Sequence, residues 1–234
     1  MKIETTAIEG QKPGTSGLRK KTRVFMQPYY LENFIQATFD AIGGGAGKKL
    51  VIGGDGRFFN KQAIQIILKM AAANGVTEAI VGQNGILSTP AASHLIRLNN
   101  ADGGFILSAS HNPGGIDEDF GVKYNGQNGG PAPENLTAKI FDATLEISEF
   151  LIAETDDIDL EAVGTIAFGD MQVHVVDPVE SYQALMESLF DFGAIRAMFA
   201  GGFTMRFDAM HAVTGPYAHA ILEDALGAAV GTVV

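Results

Sequence analysis

Cysteine is absent from the 234 residues, which excludes a disulfide framework and any thiolate metal site. Basic residues are scarce: 16 Lys and Arg stand against 27 Asp and Glu, for a formal net charge of −11. Holding a polyanion needs a basic face, so this balance argues against a nucleic-acid partner. No apolar run approaches the roughly 18 residues of a membrane span, so no membrane partner is expected. The N-terminal residues Met1 to Thr6 lack the apolar stretch of a secretory signal, and the expected compartment is the cytoplasm. What is present is a globular composition, 46% hydrophobic and 18% charged, in a chain long enough to bury a substantial core.

The pattern along the chain predicts an α/β fold. The first thirty residues are polar, basic and glycine-containing, and read as an extended arm. A helix is expected over Leu31 to Ile42, a buried strand at Leu50 to Ile52, and a helix over Lys61 to Ala73. A strand at Val76 to Val81 follows, then a helix capped by Ser88 or Thr89 with Pro90 at its first position. A third strand is expected at Gly104 to Leu107, a helix from Pro133 to Leu151, and a strand at Met171 to Val176. Strands alternating with helices over short connections imply a three-layer α/β/α domain with a mostly parallel mixed sheet. Asp177-Pro178-Val179-Glu180 carries the cap, proline and acid of a helix start. The expected domain covers residues 1–190. Residues 191–234 are expected to be the truncated start of a second, similar domain, with a helix to Ala200, a strand at Phe203 to Asp208 and a helix from Pro216 to Leu226.

Ligands of such sheets gather beyond the carboxyl ends of the strands, which directs attention to the segment after Leu107. Ser108-Ala109-Ser110-His111-Asn112-Pro113-Gly114-Gly115 places hydroxyls, an imidazole, an amide and flexible glycines in one turn. Backbone N–H groups there can approach a phosphate closely, and Ser110 is a candidate nucleophile; an ordinary capped turn fits the same residues. His111 is its neighbour, but side chains at i and i+1 point in different directions, so adjacency alone makes no dyad. Five of the 16 basic residues (Lys12, Arg19, Lys20, Lys21 and Arg23) crowd into the arm. Within it Thr15, Ser16 and Arg19 could hold phosphate oxygens, although a solvated arm is the plainer reading.

Other candidates fail on chemistry. Gly43 to Lys49 lacks the first glycine and the final Ser or Thr of a P-loop. Gly53 to Arg57 does not complete a dinucleotide fingerprint, because Phe59 occupies the last glycine position. Asp157, Asp159 and Glu161 alternate like metal ligands but read as a solvated linker, and Asp117 to Asp119 lack calcium-loop spacing. His94, His174 and His219 are scattered singly.

The segment Ser108 to Gly115 resembles the phosphoserine loop of the α-D-phosphohexomutase family. Further segments match its glucose-specific phosphoglucomutase branch: Lys12 to Arg19, Gly53-Gly54-Asp55-Gly56-Arg57, Gly82 to Pro90, Asp119 to Asn125, Asn128 to Glu134, and Phe207 to His211. The resemblance implies that Ser110 is phosphorylated and that glucose 1-phosphate and glucose 6-phosphate interconvert through glucose 1,6-bisphosphate. It implies catalytic roles for Ser110, His111, Arg19 and Lys123, and phosphate or substrate contacts for Thr15, Ser16, Arg19 and Asn112. It further implies Mg²⁺ bound in part through the phosphate on Ser110, with hexose phosphates as partners and no protein partner. Family members are more than twice as long. Their metal loop, sugar loop and C-terminal phosphate loop have no counterpart among these residues, so the chain alone is expected to be inactive as a mutase, and the general base is unassigned. A non-catalytic phosphosugar-binding or regulatory module is the alternative, and an unstable fragment a third reading.

Overall fold

A computed structural model describes all 234 residues, which fall into two units, Met1–Val176 and Asp177–Val234. The boundary thus lies earlier than residue 190, and the helix opened by Asp177 belongs to the second unit.

The first unit is built on a seven-stranded mixed sheet. In chain order its elements are β1 (Lys2–Glu4), β2 (Leu18–Lys21), α1 (Thr22–Phe25), α2 (Tyr30–Ala41), β3 (Lys49–Gly54), α3 (Asn60–Ala73) and β4 (Glu78–Ile86). There follow α4 (Thr89–Leu98), β5 (Gly103–Leu107), β6 (Asp119–Gly126), α5 (Glu134–Glu146), β7 (Glu149–Leu151), β8 (Gly164–Phe168) and β9 (Met171–Val176). The strand order is β2-β6-β5-β3-β4-β9-β8. The central strands β5, β3, β4 and β9 run parallel, and the flanking pairs β5–β6, β2–β6 and β8–β9 are antiparallel.

Side-chain alternation along the strands makes the layers. Leu50, Ile52, Phe105, Leu107, Val122 and Val173 enter one core with Ile35, Phe39, Ile64, Ile67 and Ile140 of α2, α3 and α5. The intervening residues Val51, Ile80 and Ile106, equally buried, point to the opposite face, where Ile96 of α4 reaches over Gly104. Phe105 sits between Phe39 and Tyr124 in edge-on ring contacts of 5.6 and 5.5 Å. These are the three layers the sequence implies.

Several local expectations are revised. The arm is not simply extended: it contributes β1, the edge strand β2 and α1. Pro90 is the second helical residue, because Ser88 is the cap and its Oγ accepts from the Ala91 N–H at 3.3 Å. The helix expected to Leu151 stops at Glu146, since Glu149–Leu151 pairs with Lys2–Glu4 and Phe150 is buried under the Tyr29 ring. The acidic stretch at 154–161 keeps solvated carboxylates, yet it is strapped down. Gln65 hydrogen-bonds both backbone groups of Ile158, and the Asn84 N–H donates to Leu160.

The second unit holds α6 (Glu180–Leu189), α7 (Phe192–Ala200), α8 (Thr214–Ala218) and a π-helical segment, His219–Ala225. The strand expected at 203–208 is reduced to one parallel bridge, Phe207 with Val233, because a strand needs a continuous ladder and only that residue pair supplies one. Buried Glu223 accepts from the Val233 N–H at 2.9 Å.

Candidate functional site

The site loop, residues 108–118, joins antiparallel β5 and β6 beyond the carboxyl end of β5. Its first residue is fixed by the Ser108 N–H donating to Gly121 at 2.9 Å. The Ser108 hydroxyl then accepts from the Ser110 N–H at 3.0 Å, and the Asn112 N–H closes the turn on the Ala109 carbonyl at 3.2 Å. Between these anchors Ser110 adopts φ 58°, a left-handed conformation that L residues mostly avoid. One consequence departs from the sequence expectation. The left-handed turn brings neighbouring side chains to one side, so that His111 Nδ1 stands 3.4 Å from Ser110 Oγ, at the outer limit of a hydrogen bond. Both residues are exposed.

The loop's return is tied just as closely. Asn112 Nδ2 donates to Asp119 Oδ2 at 2.7 Å, so the Asn112 amide holds the two ends of the loop together. Lys21 Nζ pairs with Asp119 Oδ1 at 3.0 Å, and Arg23 pairs with Asp117. The Lys21 hydrogen bond first, and the Asn112 amide next, hold the Asp119 carboxyl below the usual aspartate value. Thr22 Oγ1 donates toward the carbonyls of Gly115 and Glu118, at 3.0 Å each.

The basic residues sort by register. Arg19 lies opposite Gly121 and Lys21 opposite Asp119, and Lys123 follows on the same face of β6. Lys12 lies over the Phe141 ring, 5.5 Å from its centroid. Lys21 and Arg23 are neutralised, whereas Arg19 and Lys123 have no carboxylate partner. Burial, and then the Arg19 charge, push the half-buried Lys123 amine below its ordinary value. Gly14 and Gly17 exchange two backbone hydrogen bonds, which exposes Thr15 and Ser16 at the tip of a tight turn. Thr15 and Lys123 line one small hollow. The structure therefore gathers Ser110, His111 and Asn112 in one loop and sets Arg19 beside Ser108 across Gly121. Thr15 and Ser16 project from a separate turn.

Sequence reasoning assigned no role to Asp55 and Arg57, although it quoted their segment. Arg57 Nη2 and Nε reach the Asp55 carboxylate at 2.8 and 2.9 Å, and the two side chains are only 6% and 14% exposed. Arg57 also donates to the backbone carbonyls of Ser110 (3.2 Å), Asn112 (3.3 Å) and Asp119 (2.6 Å). An acid and an arginine two residues apart, just past a buried glycine-ended strand, were the available signal.

No group of three or more His, Asp or Glu side chains is placed to hold a metal ion. Beside Ser110 Oγ stands His111 Nδ1, the Asn112 amide is engaged with Asp119, and the Asp55 carboxylate is committed to Arg57. The residues of this chain alone do not furnish a Mg²⁺ site.

Residues 10–150 match the family model described as phosphoglucomutase/phosphomannomutase, alpha/beta/alpha domain I. A phosphoglucomutase of Rhizobium radiobacter is 58% identical over 99% of this chain and 43% of its own length. A chloroplastic phosphoglucomutase of Arabidopsis thaliana is 56% identical over 97% of this chain and 37% of its own length. A cytoplasmic one from Solanum tuberosum is 52% identical over 97% and 41%. Among solved structures, the exocytosis-sensitive phosphoprotein parafusin of Paramecium, a phosphoglucomutase in open form, superposes with a TM-score of 0.95 at 43% identity. That match covers all of this chain and 44% of that one. The chain thus spans about two fifths of the length of the relatives it matches.

Proposed function

Since this chain belongs to the phosphoglucomutase/phosphomannomutase family, we propose that it carries the phosphoserine end of a phosphoglucomutase. The observation that carries this reading is Ser110 itself, an exposed hydroxyl on a left-handed residue whose flanking peptides are held on both sides. In the forward direction a phosphoryl group on Ser110 Oγ passes to the free hydroxyl of glucose 1-phosphate, giving glucose 1,6-bisphosphate. As the new O–P bond forms the Ser110 Oγ–P bond breaks, and the sugar hydroxyl proton balances the charge freed on Ser110 Oγ, which ends as a hydroxyl. The bisphosphate then returns its other phosphoryl group to Ser110, and glucose 6-phosphate departs.

Phosphoryl transfer gains its acceleration chiefly from positioning and charge stabilisation. Arg19 and Lys123 are the cations available for that charge, and burial, then the Arg19 charge, lowers the Lys123 amine from its ordinary value. His111 orients the Ser110 oxygen, while Thr15, Ser16 and Asn112 complete the phosphate contacts. Mg²⁺ would supply Lewis-acid charge at the phosphate, with ligands beyond those present here. The partners are small hexose phosphates, and the compartment is the cytoplasm, as for the cytoplasmic relative from Solanum tuberosum.

The test is to isolate the protein from its native source, map phosphate by peptide mass, and assay conversion of glucose 1-phosphate. Phosphate on the Ser110 peptide and activity lost in Ser110→Ala are expected. An unphosphorylated Ser110, or activity surviving Ser110→Ala, overturns the reading. Phosphosugar binding without turnover by that native protein would favour a binding module instead. The 234-residue chain by itself is expected to show no net mutase turnover.

A further inference from the structure

The geometry points to Arg57, braced by Asp55, as the positioning residue that holds Ser110 in its left-handed conformation; the inference rests on Ser110 as the phosphoryl carrier. Ser110 is strained, and strain persists only where the surroundings over-determine it. Its N–H is held by Ser108 Oγ at 3.0 Å and its C=O by Arg57 Nη2 at 3.2 Å, so the peptide groups on either side are both fixed. The same guanidinium takes the Asn112 and Asp119 carbonyls, and so ties the strained residue to the end of its own turn and to the first residue of β6.

Two further contacts make the clasp rigid. The Phe58 N–H donates to the Gly114 carbonyl at 2.7 Å, and the Asp55 N–H donates to the Leu107 carbonyl at 3.0 Å. A Cβ at Gly114 would lie 2.6 Å from Arg57 Cβ, so the loop can close on the arginine stem only through glycine. The clasping loop is itself strained, with Phe59 at φ 75° directly before α3. A planar guanidinium with five donors can serve a carboxylate and three carbonyls at once, which a lysine ammonium cannot. Asp55 completes the arrangement: it neutralises a cation that would otherwise be buried alone, and it fixes the plane of the fork.

The test is NMR on the full 234-residue chain, comparing wild type with Arg57→Lys, Arg57→Ala and Asp55→Asn. A residue at positive φ gives a strong intraresidue HN–Hα NOE, and wild-type Ser110 is expected to show it. Loss of that NOE is expected in folded Arg57→Lys and Arg57→Ala, with a lowered melting temperature because Asp55 loses its partner, and with the rest of the spectrum close to wild type. Millimolar guanidinium is expected to restore it in Arg57→Ala. In protein from the native source, phosphate occupancy of Ser110 or mutase rate is expected to fall by on the order of a hundred-fold in Arg57→Lys. Persistence of the NOE in folded Arg57 variants overturns the proposal. So does global unfolding of all three variants, which would make Arg57 a residue of folding alone. The NOE does not depend on phosphate: an unphosphorylated native Ser110 would defeat the mutase reading and leave the clasp to be judged separately.

Discussion

Arg19 and Lys123 share one face of the β2–β6 ribbon, and the guanidinium adds to burial in drawing the Lys123 amine below 10.5. Burial is the larger cause. Arg19→Gln is therefore expected to raise the Lys123 value only part of the way back, which a pH titration of the Nζ resonance would record. Full return to the ordinary value would mean that the Arg19 charge, not burial, dominates.

The same shift has a consequence for stability. Between the folded and unfolded values of Lys123 the unfolded chain binds more protons, so stability rises with pH across that window, which lies below 10.5. At neutral pH the charged, half-buried amine is a cost to the fold. Lys123→Met is expected to raise the melting temperature by roughly 2 °C at pH 7. In the native-source protein the same change is expected to reduce mutase activity sharply. A variant that melts lower would show that Lys123 is paid back by contacts not evident in the fold.

Gly121 is where the site loop and the arm are pressed together. A Cβ there would collide with the Ser108 carbonyl and would lie 3.2 Å from Arg19 Cγ. The obstacle is backbone that is already hydrogen-bonded, so the strain has no flexible side chain to absorb it. Gly121→Ala is expected to cost about 2 kcal/mol in urea unfolding. It should also weaken the Ser108–Ser110 hydrogen bond, visible as faster exchange of the Ser110 amide. Unchanged stability would mean that β2 and β5 can move apart at this point.

The legible parts of the fold were those whose pattern is local. Leu50 to Ile52 and Gly104 to Leu107 are short apolar runs because both faces of a central parallel strand are covered. The helices α3 and α4 announced themselves by period and by their stops. The strand β2 was hidden because Leu18-Arg19-Lys20-Lys21 is an edge strand lined with charge, and it exists through pairing with β6. Similarly β6 alternates Phe120, Val122 and Tyr124 toward the core with Asp119 and Lys123 toward the site, a period-two signal interrupted by glycine. Ser110 and its turn were readable because hydroxyls and glycines cluster there. Its left-handed conformation and the Arg57 contacts were not, since they join segments more than fifty residues apart in sequence.

Ser88 and Thr89 competed in the sequence for the cap of α4, and the structure assigns Ser88. Its Oγ accepts from the Ala91 N–H, one of the donors that a helix start leaves unsatisfied. Ser88→Ala is expected to cost about 1 kcal/mol in urea unfolding, and Thr89→Ala to be near neutral by comparison. Equal costs would mean that both hydroxyls share the helix end.

Asp119 makes the loop sensitive to acid. Its carboxyl is held below 3.8 by the Lys21 hydrogen bond and then by the Asn112 amide, so its folded value is depressed. A depressed carboxylate stabilises the fold above its unfolded value, and that contribution fades as pH falls through the folded one. Asp119→Asn removes the charge that Lys21 meets while keeping an acceptor for Asn112. Because the pair is partly solvated, the difference in melting temperature between wild type and Asp119→Asn at neutral pH should be small, on the order of 2 °C. On acidification well below 3.8 the two curves should converge, since the wild-type carboxyl is then protonated and Lys21 loses its anion. Other carboxylates titrate in both proteins and cancel in the difference. A gap that stays constant across that range would show that the substitution acts through packing, and that the Lys21–Asp119 pair contributes nothing to holding the serine loop.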